Sequence, residues 1–163
     1  MRGRALKFGD GISTDHIIPG RYFHLRSNLP ELAKHAMADI APEFTSRVRP
    51  GDFLVAGRNF GLGSSREHAV LVLKLSGISA VLAESVARIF YRNAVNLGLP
   101  VLILDTQGIA DGDELEVDLA GGKVRDLTLG LELFFNPLPP VMLEILKGGG
   151  LVPYIRKYHG FKL

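Results

Sequence analysis

The sequence predicts an α/β domain with a mostly parallel core sheet, flanking helices and a C-terminal β-hairpin region. Three observations carry this. From Asp52 to Leu104, strand-length apolar runs alternate with helix-length runs, an order that implies parallel strands joined by right-handed crossovers. After Glu114 the pattern changes to polar–apolar alternation around Gly121-Gly122, the mark of an antiparallel hairpin. The chain has 163 residues, 47% of them hydrophobic, which fits one domain spanning 1–163 with a self-sufficient core.

The elements follow in order. Residues 4 to 8 read as a short strand that turns at Gly9-Asp10-Gly11. Residues 13–30 show no helical period and carry Pro19, Gly20 and Pro30, so they read as an ordered functional loop. A short helix is expected over 31 to 38 and a turn over Pro42 to Ser46. Asp52 to Ala56 is a buried strand running into a glycine loop; Ser65 to Ser76 is a helix closed by Gly77. Ala80 to Ala83 is a strand, Ala87 to Leu97 a helix closed by Gly98, and Val101 to Leu104 a third buried strand. Glu114 to Leu119 and Lys123 to Leu129 form the hairpin, and Pro140 to Lys147 a last helix stopped by Gly148-Gly149-Gly150. The tail from Leu151 to Leu163 is basic and aromatic and reads as a segment that docks on its own domain or on a partner. Met37 and Met142 read as core.

Composition excludes several classes. The net charge is only +2, with the basic residues scattered, which gives no footprint for nucleic acid. No apolar stretch is long enough for a bilayer, and the basic start Met1 to Lys7 has no apolar signal core behind it; the expectation is a cytoplasmic chain with no membrane partner. The chain has no cysteine, so it offers no disulfide, no zinc–thiolate site and no cysteine-held iron–sulfur cluster.

Residues 59–68 form the most informative segment: Gly61 and Gly63 free the backbone, Ser64 and Ser65 sit where a helix should begin, and Arg66 follows at once. Helix starts carry unpaired N–H groups and a partial positive charge, so anions are stabilised there. Arg66 adds a planar cation that matches a carboxylate in bidentate fashion. On spacing alone, Ser64 with Glu67 three residues on also reads as a capping box, with Gly61 and Gly63 serving turn geometry. No lysine followed by Ser or Thr comes after the second glycine, so the phosphate-loop reading fails. A third glycine at dinucleotide-binding spacing is also missing.

Gly63-Ser64-Ser65-Arg66-Glu67-His68-Ala69 resembles the serine loop of the swivel domain in the aconitase superfamily. The stretch from Gly9 to Tyr22, with Thr14-Asp15-His16 inside it, resembles the opening motif of the small subunits of isopropylmalate and homoaconitate hydro-lyases. The stretch from Ala83 to Gly98 resembles the helix that follows in that family. The resemblance implies a swivel-type β/β/α domain. It assigns Ser64 as the base that takes a carbon-bound proton, Ser65 as a hydrogen-bond donor to substrate and Arg66 as the clamp on a substrate carboxylate. Asp15 and His16 would support the site, Asp15 either bracing His16 or orienting a histidine of a partner. The family's chemistry uses a four-iron, four-sulfur cluster held by cysteines. The resemblance therefore implies that the cluster sits on a cysteine-containing large subunit, in a heterodimer or heterotetramer, and that this chain binds no cofactor or metal itself.

The loop Tyr22-Phe23-His24-Leu25-Arg26-Ser27 bears on substrate. In aconitase-like enzymes this region carries an arginine that holds a distal carboxylate; small subunits acting on isopropylmalate present apolar side chains there. A guanidinium facing an isopropyl group would be desolvated without a partner, at a cost on the order of 1–3 kcal/mol or more. Arg26 therefore points to a tricarboxylate such as homoaconitate, with isopropylmalate as the alternative. From another class, a non-catalytic anion- or RNA-binding module could use the Gly-Ser-Ser-Arg loop on phosphates.

Overall fold

In a computed structural model, residues 1–161 are described. The strands are β1 (Arg2–Lys7), β2 (Phe53–Val55), β3 (Ala80–Ala83), β4 (Val101–Ile103), β5 (Glu114–Asp118), β6 (Lys123–Asp126) and β7 (Leu131–Phe134). The helices are α1 (Thr14–Ile17), α2 (Leu29–Ala33), α3 (Phe44–Arg47), α4 (Glu67–Ser76), α5 (Arg88–Asn96), α6 (Pro140–Lys147) and α7 (Leu151–Tyr158), with a 3-10 turn over Gly20–Leu25. One seven-stranded sheet runs in the order β4-β3-β2-β1-β5-β6-β7. Strands β1 to β4 are parallel and β5 to β7 antiparallel, which is the mostly parallel core with a C-terminal hairpin region that the sequence predicts.

The two-residue period of the strands builds two cores. Leu6, Leu54, Val81 and Ala83 face one side, where they join Val70, Leu73, Phe90 and Ala94 of α4 and α5. Ala5, Phe53, Val55, Ala80 and Leu82 face the other, where they meet Leu115, Val117 and Val124 of the antiparallel end. Thus β2 and β3 are buried throughout, which explains why they read as continuous apolar runs rather than alternating ones. At the entry to β2, the buried Asp52 carboxylate accepts bonds from Arg4 Nη2 at 2.7 Å, Arg4 N at 3.1 Å and Arg49 N at 2.9 Å. Burial alone would raise its pKa; these bonds outweigh it and hold the carboxyl below its ordinary value, and they pin β1 to the chain that enters β2.

Several expectations need correction. The segment 13–30 is not loop throughout, because α1 and the 3-10 turn lie inside it. The short helix expected over 31 to 38 is centred earlier, at Leu29–Ala33, where the Asn28 side chain accepts from Glu31 N at 3.4 Å. The second hairpin strand stops at Asp126, whose Oδ1 takes the N–H groups of Thr128 and Leu129, both at 3.0 Å, and so turns the chain. Strand β7 is additional. The tail holds the helix α7, and Tyr154 is buried in the domain, so the tail docks on its own chain; Lys162 and Leu163 of that reading lie outside the described residues. Met37 is fully buried, whereas Met142 is only half-buried.

Candidate active site

The loops leaving the carboxyl ends of β1, β2 and β3 lie side by side. Beyond the strands, Ser13 still pairs with Leu62 and Phe60 with Val86, both in parallel sense. Backbone bonds continue the ladder: Gly61 N to Ile12 O at 2.7 Å, Thr14 N to Leu62 O at 2.8 Å, Phe60 N to Ser85 O at 3.0 Å. The serine loop is therefore an extension of the sheet held on both sides. Its two glycines are required by space. At Gly61 (φ +78°) a Cβ would lie 2.5 Å from Phe90 Cγ; at Gly63 (φ +110°) one would lie 2.8 Å from Thr14 Oγ1. Both backbone angles also favour glycine.

These close approaches set the site. Ser64 Oγ lies 3.3 Å from Oγ1 of the buried Thr14. Asn93 of α5 donates from Nδ2 to the Ser65 carbonyl at 3.0 Å. Helix α4 starts at Glu67 with Arg66 as N-cap and no side-chain cap, so Ser64 does not form the capping box its spacing suggests. The reason is tertiary: the Ser64 hydroxyl is turned to Thr14, and Gly63 redirects the chain before the helix can begin. Ser64 is half-buried and Ser65 exposed, on an open face.

The Arg66 guanidinium stacks over Phe23, with Cζ 4.0 Å from the ring centroid, and Nη1 approaches Asp15 Oδ1 at 4.0 Å. The His68 ring meets Phe23 edge-on, centroids 5.4 Å apart. Asp15 thus lies against Arg66 rather than bracing His16. His16 serves its own turn: Nδ1 accepts the Ser13 N–H at 3.0 Å, and Ser13 Oγ accepts the His16 N–H at 3.2 Å. In the loop over Tyr22 to Ser27, Tyr22 stacks on His35 at 4.0 Å, Leu25 packs on the core, and His24 Nδ1 lies 2.9 Å from the Arg21 carbonyl. Ser27 is exposed. Arg26 is exposed too; its Nη1 donates to the Phe23 carbonyl at 3.3 Å and its Cζ lies 5.2 Å from the Phe23 ring. In this chain by itself the guanidinium is exposed and already donates to a carbonyl, so nothing in the fold obliges it to face a substrate carboxylate.

Among the predicted residues the structure brings together Asp15, Phe23, Arg26, Ser64, Ser65 and Arg66, shaped by Gly61 and Gly63; His16, His24 and Tyr22 make local contacts instead. Thr14 and Asn93 are further polar neighbours that side-chain type alone did not single out. A concavity of about 380 Å³ lies elsewhere, lined by Lys7, Asp10, Arg58 and Glu84 among others. Its polar groups are already paired, with Arg58 Nε 3.3 Å from Glu84, Asp10 accepting Arg58 N at 2.7 Å and Lys7 Nζ bonded to the Thr106 carbonyl. Among the described residues no group of His, Asp or Glu is arranged to hold a metal. With no cysteine in the chain, this chain's residues do not fit an iron–sulfur cluster. Nor is any described helix long and apolar enough to cross a membrane.

This site sits on one mixed sheet, parallel over β1 to β4 and antiparallel beyond, the architecture of a swivel-type domain. Residues 10–107 match the family model described as the aconitase C-terminal domain, and the chain belongs to that family. It is 64% identical to "3-isopropylmalate dehydratase small subunit 2" of Archaeoglobus fulgidus, covering 100% of this chain and 99% of the relative. It is 54% identical to "Methanogen homoaconitase small subunit" of Methanothermobacter thermautotrophicus, covering 96% and 91%. A crystal structure of 3-isopropylmalate dehydratase from Methanocaldococcus jannaschii superposes with a TM-score of 0.92 at 47% identity, covering 97% of this chain and 94% of the other.

Proposed function

We propose that the chain is the small subunit of a hydro-lyase that shifts a hydroxyl between adjacent carbons of a 2-hydroxy acid through an alkene, with isopropylmalate as its substrate. The observation that carries the site reading is Ser64, half-buried and backed by the buried Thr14, two residues before Arg66 in a loop at the carboxyl ends of β1 to β3. Ser64 is the base. Its alkoxide would be stabilised by a hydrogen bond from Thr14 Oγ1 and by the nearby guanidinium. Arg66 takes a substrate carboxylate, fixing the proton to be removed against Ser64. Ser65, exposed beside it, hydrogen-bonds substrate.

A large subunit covers this face. It would supply the four-iron, four-sulfur cluster that the family resemblance implies, since this chain has no thiolate to hold one. The isopropylmalate reading is supported by the names of the 64% and 47% identical relatives, and by an Arg26 that needs no substrate carboxylate to satisfy it. A second reading, a tricarboxylate such as homoaconitate, keeps one specific support: Arg26 contacts the same Phe23 ring as Arg66, so two cations meet at one ring.

The test is reconstitution with cysteine-containing large subunits, assayed on isopropylmalate, homoaconitate and cis-aconitate in parallel. Isopropylmalate is expected to show the highest kcat/KM. A higher value on homoaconitate that falls on Arg26→Val would replace the first reading with the second.

A further inference from the structure

We infer that Phe23 is a positioning residue whose ring holds the Arg66 guanidinium ready for the substrate carboxylate; the inference rests on the substrate role proposed for Arg66. Three observations converge on it. Arg66 Nη1 is buried with no hydrogen-bond partner among the described residues. The nearest acid, Asp15, is 4.0 Å away with its side chain 67% exposed, too long and too wet for a strong pair. What Arg66 does touch is Phe23, at 4.0 Å from Cζ to centroid.

Chemistry explains why a ring suits this task. A carboxylate partner would occupy the guanidinium fork and compete with substrate. An aromatic face attracts the cation without consuming its N–H donors, so the fork stays free. The ring is itself fixed: it packs against the core that includes Leu32 and Phe44, and His68 abuts its edge at 5.4 Å and 87°. Phe23 belongs to the 3-10 turn over Gly20–Leu25, just past the first motif, and Arg66 to the serine loop forty-three positions on. The contact therefore ties the proposed substrate loop to the proposed catalytic loop.

The experiment uses the complex reconstituted with its large subunit, and reads kcat and KM separately. Phe23→Leu removes the ring and keeps an apolar side chain. It is expected to raise KM about tenfold, the scale of one partly desolvated cation–π contact, with kcat little changed, because substrate and transition state lose the same interaction. Phe23→Tyr, which keeps the ring, is expected to restore the KM. In an Arg66→Gln background Phe23→Leu is expected to change nothing further, since Phe23 acts through Arg66. Phe23→Met serves the same comparison if the leucine variant does not assemble. An unchanged KM in the ringless variant, or an equal rise in the Arg66→Gln background, overturns the inference while leaving the hydro-lyase reading intact. A wild-type complex that turns over none of the three substrates overturns that reading, and the role of Phe23 with it.

Discussion

Ser64 shows how one side chain changes meaning with its surroundings. Read along the chain, it is a helix cap; in the fold its Oγ faces Thr14, fifty positions away, at 3.3 Å, and the helix starts without it. The proposed proton transfer needs that hydroxyl and nothing else from the side chain. Ser64→Ala is therefore expected to leave assembly with the large subunit intact and to lower kcat by about 10²–10⁴-fold, the range a positioned base contributes. Near-full activity in the assembled variant would remove Ser64 from the role of base. The cluster of Ser64, Ser65 and Arg66 was legible in the sequence because a serine pair and an arginine after two glycines make an unusual pattern. The contributions of Thr14, Phe23 and Asn93 were not, because each depends on an approach between segments separated by twenty-eight to fifty positions.

The serine loop behaves as a fourth-side extension of the sheet rather than as a free loop. It is bonded to the loop after β1 on one flank and to the loop after β3 on the other. Gly61 is where that arrangement is tightest, with φ at +78° and the Phe90 ring against its Cα. Gly61→Ala is expected to destabilise the fold by about 1–3 kcal/mol, from left-handed strain and from displacement of Phe90. Thermal unfolding of the isolated chain measures it, and an unchanged midpoint would mean the loop relaxes freely. Elements were legible where burial dictates pattern: Ala80–Ala83 and Pro140–Lys147 match their expected bounds. Strand β7 escaped because Leu131 and Phe134 are exposed, so no alternation marks a buried face. Helix α7 escaped because Pro153 follows three glycines. In the first turn, however, proline forfeits no hydrogen bond, and burial of Tyr154 at 2% exposure holds the helix to the domain.

At the scale of the molecule, one pair of buried acids shifts stability with pH in the sense opposite to Asp52. Asp113 and Asp126 are 6% and 1% exposed, where β5 and β6 meet. Burial pushes the Asp126 carboxyl above its ordinary range, and the neighbouring Asp113 carboxyl adds to the rise, against the N–H bonds of Leu129 and Thr128. A carboxyl whose pKa is raised in the folded state contributes most below its unfolded value near 3.9, and that contribution is lost as pH rises through the folded value. The folded chain therefore carries a cost at neutral pH. Asp126→Asn keeps an acceptor for the two N–H groups and a permanent donor toward Asp113. It is expected to raise the melting temperature at pH 7 by on the order of a few degrees, with the gain shrinking as pH falls toward 4. A gain that is the same at both pH values would show that the charge of Asp126 is not its source.

Apolar runs, glycine positions and short motifs determined by themselves the α/β class, the strand and helix order from β2 through β4, and the family. These are properties that local period and short motifs encode. Tertiary structure decided where α4 begins, which acid stands beside Arg66, that Arg26 lies at the surface of this chain, and that a phenyl ring rather than a carboxylate contacts the guanidinium. Each of these depends on the distance between segments far apart in the chain, and such a distance is fixed only when the sheet brings the loops after β1, β2 and β3 onto one edge.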